Sequence, residues 1–282
     1  MEMIVLNETI KTSEGIVEYS SYGTGLPILF VHGGHVNSRF TLPHKGFDSN
    51  KFQLITPSRP GYGNTPLNNN KTPERTAKLF ISLLDYLKIN KVIVYGISAG
   101  GWTALELASK YPDRVNKLIL GSAVTKKWLD IKGKMYTGSK LIFHPRIEWI
   151  TWSIINLLGI IAPNLIARIF FLEFSSVKYN VLPKEDVREL VRHLKYFRSK
   201  RGFVNDIDQN ISVDILQNIT CPTLILHSKN DNSVPIGHAE LAKDKIKNVK
   251  AVFIDNLWGH MIWIGTDYEL VKYEIFSFIN NN

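Results

Sequence analysis

The chain of 282 residues contains a single cysteine, Cys221, so it cannot form an internal disulfide bond. Cys221 precedes Pro222 at the start of an apolar stretch, where we expect a buried structural thiol. Residues 1–8 have neither the basic segment nor the long apolar run of a secretory signal peptide. Both absences predict a cytoplasmic protein.

The sequence also lacks a long, uninterrupted hydrophobic run. The most apolar stretch, residues 149–167, is interrupted by the polar Ser153 and Asn156 and by Pro163. A transmembrane helix needs about 20 consecutive apolar residues, and a proline in a helix interior breaks the helix. We therefore expect two apolar helices that meet at Ala162-Pro163, and no stable insertion into a membrane.

Motifs for binding metals, dinucleotides or nucleic acids are absent as well. The histidines and carboxylates lack the spacing of a coordination site, and residues 96–101 do not fit G-x-G-x-x-G. The net charge is +9, and residues 122–210 hold most of it, with fifteen Lys and Arg against eight Asp and Glu. Without a nucleic-acid motif this charge indicates solvated helix surfaces. We expect no metal, cofactor or nucleic-acid partner; an anionic ligand or a membrane surface is left open.

Strand-like and helical patterns alternate in both the first and the last part of the chain. Thr72 and Pro73 form the N-cap and first position of a helix, and another helix follows the strand at residues 91–95. A final helix is expected from about Met261 to Ile279. This alternation predicts an α/β fold with a mostly parallel central sheet flanked by helices. The other strand-like stretches are residues 9–12, 16–22, 27–31, 52–56, 118–120, 222–227 and 249–254, and the other late helix covers residues 235–246.

The alternation stops between residues 122 and 210. No strand-like run separates the helical patterns there, and the stretch is too long for a loop within a compact domain. We therefore predict a core domain formed by residues 1–121 and 211–282, with residues 122–210 as a helical insertion.

The clearest motif is Gly96-Ile97-Ser98-Ala99-Gly100, which reads G-x-S-x-G between a strand and a helix. A serine at such a sharp turn is held in a strained conformation that exposes its hydroxyl. The two glycines remove side chains that would collide at the turn. Ser98 is therefore the candidate nucleophile.

A serine nucleophile needs a base, and the base needs a carboxylate that orients it. His260 follows the last strand, and Asp231 lies just past the end of the strand before it. Because the carboxyl ends of parallel strands open on one sheet edge, both side chains should meet Ser98 there. Asp255 is the main alternative to Asp231 as the carboxylate that orients the base. His32 is expected to brace its loop and His227 to pack in the core.

An oxyanion hole needs two backbone N–H groups aimed at one point. Ala99, directly after the nucleophile, supplies one. Gly33 and Gly34 follow a strand, and the amide of Gly34 is the expected second donor.

These motifs together resemble the α/β-hydrolase fold superfamily, in its branch of cap-bearing serine hydrolases. The resemblance covers nearly the whole chain and implies that residues 122–210 are a cap over the active site. Haloalkane dehalogenases and epoxide hydrolases look similar but carry an aspartate where this chain has Ser98. The matching segments are His32-Gly33-Gly34, Ser58-Arg59-Pro60-Gly61-Tyr62-Gly63-Asn64-Thr65-Pro66, the serine turn, Asp231 and Gly259-His260.

The expected activity is hydrolysis of carboxylic esters through a covalent acyl-enzyme. The aromatic residues of the insertion point to an apolar acyl or aryl substrate, although packing of the insertion against the core is the more common use of such residues. The alternatives are a C–C bond hydrolase with Arg188 or Arg192 binding a carboxylate, a proline-preferring aminopeptidase, and a ligand sensor without turnover. Oligomeric state is left open. The aromatic residues are Trp128, Trp149, Trp152, Phe170, Phe171 and Phe174.

Overall fold

An eight-stranded sheet forms the centre of the described chain. The structure is a computed structural model that describes residues 6–281, so residues 1–5, part of the stretch examined for a signal peptide, lie outside the described residues. The strands are β1 (Asn7–Thr12), β2 (Gly15–Tyr22), β3 (Leu26–Val31), β4 (Phe52–Pro57), β5 (Val92–Ile97), β6 (Val115–Gly121), β7 (Thr223–Ser228) and β8 (Val249–Ile254).

The sheet is parallel except at one edge. Its strand order is β1-β2-β4-β3-β5-β6-β7-β8, and only the pairs β1–β2 and β2–β4 are antiparallel. β5 and β7 are buried along their whole length because helices cover both faces of the sheet. The predicted α/β fold with a mostly parallel sheet is confirmed.

Nine α-helices lie within residues 6–281. Helix α1 begins as predicted, since the Thr72 side chain accepts a hydrogen bond from the Arg75 amide and Pro73 occupies the first turn. The helices are α1 (Pro73–Tyr86), α2 (Gly101–Lys110), α3 (Lys134–Ile142), α4 (Glu148–Ile161), α5 (Pro163–Phe174), α6 (Lys184–Leu194), α7 (Gly202–Ile207), α8 (Gly237–Lys245) and α9 (Tyr268–Asn280).

Two apolar layers enclose the sheet. One contains buried residues of α1, α2 and α8, such as Leu83, Leu105 and Ala239. The other contains residues of α9, such as Ile275, and of the insertion helices, such as Trp152. Burial of these side chains stabilises the fold at roughly 1.5–3 kcal/mol for each large apolar residue.

Helices α3 to α7 all lie between β6 and β7, within the helical insertion (residues 122–210). The two apolar helices expected there are α4 and α5, which are separated at Ala162 with Pro163 in the first turn of α5. None of the helices within residues 6–281 has the length and apolar character needed to cross a bilayer.

The prediction of a helix starting near Met261 is wrong, because α9 begins at Tyr268. The preceding apolar residues, such as Ile262 and Trp263, are buried in turns rather than along one helix face. Gly259 and Gly265 have φ angles of +53° and +85°, which a continuous α-helix does not allow.

Candidate active site

Ser98 occupies a tight turn between β5 and α2. Its φ angle is +49°, in the left-handed region that is unfavourable for a residue with a side chain. The turn lies so close to β3 that a Cβ on Gly100 would be 2.1 Å from the carbonyl oxygen of Val31, and a Cβ on Gly96 would be 2.4 Å from the Cβ of Ala104. The glycines of the motif are therefore required by close packing.

Ser98, His260 and Asp231 form a continuous chain of hydrogen bonds. The Ser98 Oγ lies 3.0 Å from His260 Nε2, and His260 Nδ1 lies 2.8 Å from Asp231 Oδ2. All three residues are buried. The other carboxylate oxygen, Asp231 Oδ1, accepts hydrogen bonds from the amides of Ser233 and Val234. These amides fix the carboxylate in the orientation that faces the imidazole.

A second histidine, His227, lies close to the same carboxylate. Its Nε2 is 3.5 Å from Asp231 Oδ2, but it makes a shorter contact of 2.8 Å to the carbonyl oxygen of Val234. Burial lowers the pKa of His227, so the ring is neutral and its N–H donates to Val234. The rival acid, Asp255, is exposed and accepts a hydrogen bond from the side chain of Asn230. Of the two candidate acids, the structure brings only Asp231 to His260.

The loop after β3 lies against the serine. A Cβ on Gly33 would be 2.9 Å from the Cβ of Ser98, and Gly34 lines the same cavity as Ser98. Ala99 is buried in the first turn after Ser98, where helical amides have no partner within the helix. His32 braces the loop, since its Nδ1 bonds the Gly33 carbonyl and its Nε2 accepts from the Arg59 amide.

Sequence reasoning missed the buried ion pair that holds this loop. The Arg59 guanidinium donates to the carbonyl oxygens of His32 and Gly33 at 2.7 and 3.0 Å. It also forms two hydrogen bonds of 2.7 Å with Asp206 of helix α7. The Tyr62 hydroxyl donates to the same carboxylate at 2.6 Å. Arg59 and Tyr62 lie in the segment 58–66 that resembles the family, which was the available signal, but their partner lies about 145 residues away in the chain.

The end of α5 is attached to the loops that carry Asp231 and His260. The carbonyl oxygen of Phe174 accepts hydrogen bonds from the amides of His260 and Asn232 at 2.9 and 3.2 Å. Ser175 pairs with Asp231 as an isolated β-bridge, and its hydroxyl donates to the Leu257 carbonyl. The helical insertion thus contacts Asp231 and His260 directly through its backbone.

A cavity of about 550 Å³ opens above Ser98 and His260. Its wall is mainly apolar, and among the described residues Glu173, which is exposed, is the only acidic side chain on it, with no Lys or Arg. No group of three or more His, Cys, Asp or Glu within residues 6–281 could hold a metal ion. The aromatic lining residues are Phe40, Trp128, Phe143, Trp152, Phe170, Phe174, Phe197, Phe203 and Trp263.

The six aromatic residues singled out in the insertion divide into three groups. Trp128, Trp152, Phe170 and Phe174 line the cavity. Phe171 packs on Trp258 in the core, with the ring centroids 5.4 Å apart, and Trp149 is exposed on the outer surface. Four of the six residues therefore line the cavity and one packs in the core, while the use of the cavity for a substrate stays a prediction.

Comparison with known proteins identifies the family. The model of the alpha/beta hydrolase family matches residues 28–267. The chain belongs to the alpha/beta hydrolase family. An uncharacterized hydrolase of Bacillus subtilis, YcgS, is 37% identical over 266 residues, which cover 92% of this chain and 93% of the relative. The predicted family resemblance is thus confirmed, and the protein is a hydrolase.

More distant relatives also match over nearly the whole length of this hydrolase. A poly(3-hydroxyalkanoate) depolymerase of Ectopseudomonas oleovorans is 26% identical over 260 residues, covering 90% of this chain and 84% of the depolymerase. An alpha/beta hydrolase fold protein from Nakamurella multipartita superposes with a TM-score of 0.77 at 25% identity, covering 97% of this chain and 98% of that one.

Proposed function

We propose that this hydrolase cleaves carboxylic esters with apolar acyl or aryl groups, with Ser98, His260 and Asp231 as its catalytic triad. The observation that carries the proposal is the hydrogen-bonded chain from Ser98 Oγ through His260 to Asp231 at the base of an apolar cavity. A serine, a base within hydrogen-bond reach and a carboxylate that orients the base are the groups required for acyl transfer.

In the proposed reaction, His260 Nε2 takes the proton of the Ser98 hydroxyl as Oγ attacks the ester carbonyl. Asp231 keeps the proton on Nδ1 and stabilises the imidazolium that forms. The amides of Gly34 and Ala99 hold the developing oxyanion. His260 then protonates the leaving alcohol, which departs from the acyl-enzyme. Water, deprotonated by His260, attacks the acyl carbonyl and releases the acid, and Ser98 regains its proton.

The composition of the cavity wall favours an uncharged, apolar substrate. A carboxylate on the substrate would need a cation, and no Lys or Arg of the described residues lines the cavity. Arg188, suggested for that role, forms an exposed ion pair with Glu185. This argues against the alternative of a C–C bond hydrolase for keto acids. A proline-preferring aminopeptidase would need a counter-charge for a substrate amine, and Glu173 is the acidic side chain of the wall that could supply it.

We further propose that the helical insertion acts as a cap on a core formed by residues 1–121 and 211–282. Residues of α3, α4 and α5 form the part of the cavity wall opposite the sheet edge, and Phe174 at the end of α5 bonds the His260 loop. On this proposal, the cap selects the acyl or aryl group while the core supplies the chemistry.

The test is hydrolysis of p-nitrophenyl esters from acetate to long acyl chains, with L-proline p-nitroanilide included for the aminopeptidase alternative. Wild-type protein should hydrolyse the esters, and Ser98→Ala should lower kcat by about 10⁴-fold or more. The matched control is Ser139→Ala, because Ser139 lines the same cavity on α3.

A serine-directed fluorophosphonate provides a test that needs no correct guess of substrate. We expect one adduct by intact mass, located on Ser98 and absent from Ser98→Ala but present in Ser139→Ala. If Ser98 does not react and no ester is hydrolysed, the triad proposal is wrong and the ligand-sensor alternative is favoured. Selective cleavage of the proline anilide would instead favour the aminopeptidase.

A further inference from the structure

The outer surface of the helical insertion carries a row of exposed apolar side chains. On α4 these residues recur on one side of the helix, with Ser153 as the polar residue among them. Leu165, Ile169 and Leu172 form a similar row on the adjoining helix α5, each more than half exposed. We call these two rows the apolar face. Its α4 members are Trp149, Ile150, Ile154, Leu157, Ile160 and Ile161, with exposed fractions from 42% to 78%.

This amount of exposed apolar surface requires an explanation. Single exposed hydrophobic residues are common, but contiguous apolar surface marks an interaction site. The inner side of α4 is packed conventionally, with Trp152 and Gly159 buried. The apolar face is therefore additional to what the fold needs for its core.

The cavity opens towards the same helices. Met135 of α3, Ile142 of α3 and Ile169 of α5 line the cavity and are each about half exposed, at 50%, 49% and 51%. Ile169 belongs both to the cavity wall and to the apolar face. A ligand that lies against the apolar face would therefore have direct access to the cavity above Ser98.

Exposed cations adjoin these helices along the chain: Arg146 comes just before α4, Lys178 just after α5, and Lys132 and Lys134 at the start of α3. Lys132, Lys134, Arg146 and Lys178 are exposed, and none of their side chains has an ion-pair partner within the part of the chain that the structure describes. The insertion as a whole has fifteen Lys and Arg against eight Asp and Glu. Two copies meeting through this face would bring two positively charged surfaces together. A bilayer with anionic headgroups offers an apolar boundary for these side chains and negative charge for the cations.

We propose that α4 and α5 dock on the surface of an anionic lipid bilayer, with the cavity opening towards the lipid. The apolar side chains enter the boundary between headgroups and acyl chains, and the cations contact lipid phosphates. Docking depends only on this surface; delivery of an apolar ester from the bilayer to Ser98 rests in addition on the proposed function.

The test is co-sedimentation with vesicles of phosphatidylcholine alone and of an equimolar mixture of phosphatidylcholine and phosphatidylglycerol. It uses the full chain carrying Ser98→Ala, so that binding is measured independently of hydrolysis. We expect binding to the mixed vesicles that weakens with added salt, and little binding to phosphatidylcholine alone. No binding to the anionic vesicles overturns the proposal.

Paired variants separate the contribution of the apolar face from non-specific binding to vesicles. Leu157→Ser with Ile160→Ser should weaken vesicle binding at least tenfold, because both side chains would leave the lipid boundary. The matched control is Leu270→Ser with Tyr273→Ser, which changes two similarly exposed residues on α9. All four positions are exposed, so unchanged melting temperatures are expected. Equal loss of binding in both pairs would contradict docking through α4 and α5.

The cations are tested in the same way. Each basic side chain near an anionic surface contributes about a fivefold factor, so Lys134→Gln with Arg146→Gln should weaken binding about 25-fold. The control is Lys91→Gln with Lys247→Gln, which removes the same charge from exposed positions of the core. If the two pairs weaken binding equally, net charge rather than this face is responsible, and the proposal is wrong.

Trp149 reports directly on insertion. It is 52% exposed on the apolar face, whereas Trp102, Trp152, Trp258 and Trp263 are buried. Anionic vesicles should shift the tryptophan emission to shorter wavelength and protect it from acrylamide. Trp149→Phe should remove most of the shift, because Trp128, the remaining tryptophan, is half-buried in the cavity wall. A dimer in sedimentation velocity that Ile160→Ser dissociates, together with no emission shift, would assign the face to a second copy instead.

Discussion

The Asp206 carboxylate on α7 makes two hydrogen bonds of 2.7 Å with the Arg59 guanidinium, which in turn holds the loop beside Ser98. Both side chains are buried, at about 5% exposure. Because Arg59 also donates to the carbonyl oxygens of His32 and Gly33, the ion pair links the helical insertion to the loop that carries the Gly34 amide. A residue of the insertion thereby contributes to the position of a proposed oxyanion donor without touching substrate.

We expect Asp206→Asn to impair both folding stability and turnover. Removing one charge of a buried pair leaves the Arg59 cation without a counter-charge and should lower the free energy of unfolding by about 3 kcal/mol. Displacement of the loop should lower kcat between about tenfold and 100-fold with a small change in KM. Urea denaturation and ester kinetics measure the two effects.

The control is Asp208→Asn, two residues further along, because Asp208 forms an exposed ion pair with Lys140 at 3.0 Å. Such a pair contributes at most about 1 kcal/mol. A change confined to KM in Asp206→Asn, or the same kcat in both variants, would contradict a positioning role.

The identity of the catalytic acid is tested by a pair of substitutions. Asp231→Asn should lower kcat about 10⁴-fold while the protein stays folded, because an amide cannot hold the His260 tautomer that accepts the serine proton. Asp255→Asn should stay within about twofold of wild type, since an exposed surface substitution has little effect. Ester kinetics on both variants decide between them, and a larger loss in Asp255→Asn would reverse the assignment.

Alanine substitutions of Gly100 and of Gly138 test how tightly the serine turn is packed. A methyl on Gly100 would meet the carbonyl oxygens of Val31 and His32 at 2.1 and 2.6 Å, and strand backbone cannot move aside. Gly100→Ala should therefore lower the free energy of unfolding by about 3 kcal/mol. A methyl on Gly138 in α3 meets nothing within 4 Å, so Gly138→Ala should raise it by up to about 1 kcal/mol. Urea denaturation measures both, and equal effects would contradict close packing at the serine turn.

Local patterns predicted most of the fold and the three residues that the structure brings together at the candidate site. The strand of apolar residues before Ser98, the glycines around it and the Thr72-Pro73 helix start are all encoded within a few neighbouring residues. The convergence of Ser98, Asp231 and His260 then follows from the parallel sheet, whose strands end at one edge. These features were predictable because each depends on backbone geometry that adjacent residues determine.

Features that depend on contacts across the chain were not predictable in the same way. The Arg59–Asp206 pair joins residues 147 positions apart, and neither has a local pattern that requires the other. The start of α9 was misplaced because Ile262 and Trp263 are as apolar as helix residues, yet they fill the core from turns. The apolar pattern of α4 predicted a helix but not which of its sides would be left exposed.

His44 gives a prediction for the dependence of stability on pH. The ring is buried between the hydroxyls of Tyr22 and Thr56, at 2.7 and 2.9 Å, and burial lowers its pKa from 6.5 to about 3. Between these two values the unfolded chain binds a proton at His44 and the folded chain does not. The free energy of unfolding therefore falls as the pH falls through this range, by about 1 kcal/mol between pH 6 and pH 5 from this residue alone.

We expect His44→Gln, whose amide can still bond a hydroxyl, to reduce the slope of unfolding free energy against pH by that amount. Urea denaturation between pH 5 and pH 6 measures the slope. On unfolding, the variant should take up about one proton fewer than the wild type. His144→Gln is the control, because its ring is exposed and solvated in both states. A slope that His44→Gln leaves unchanged would mean that the folded chain protonates His44 in this range, which its buried contacts with two hydroxyls oppose.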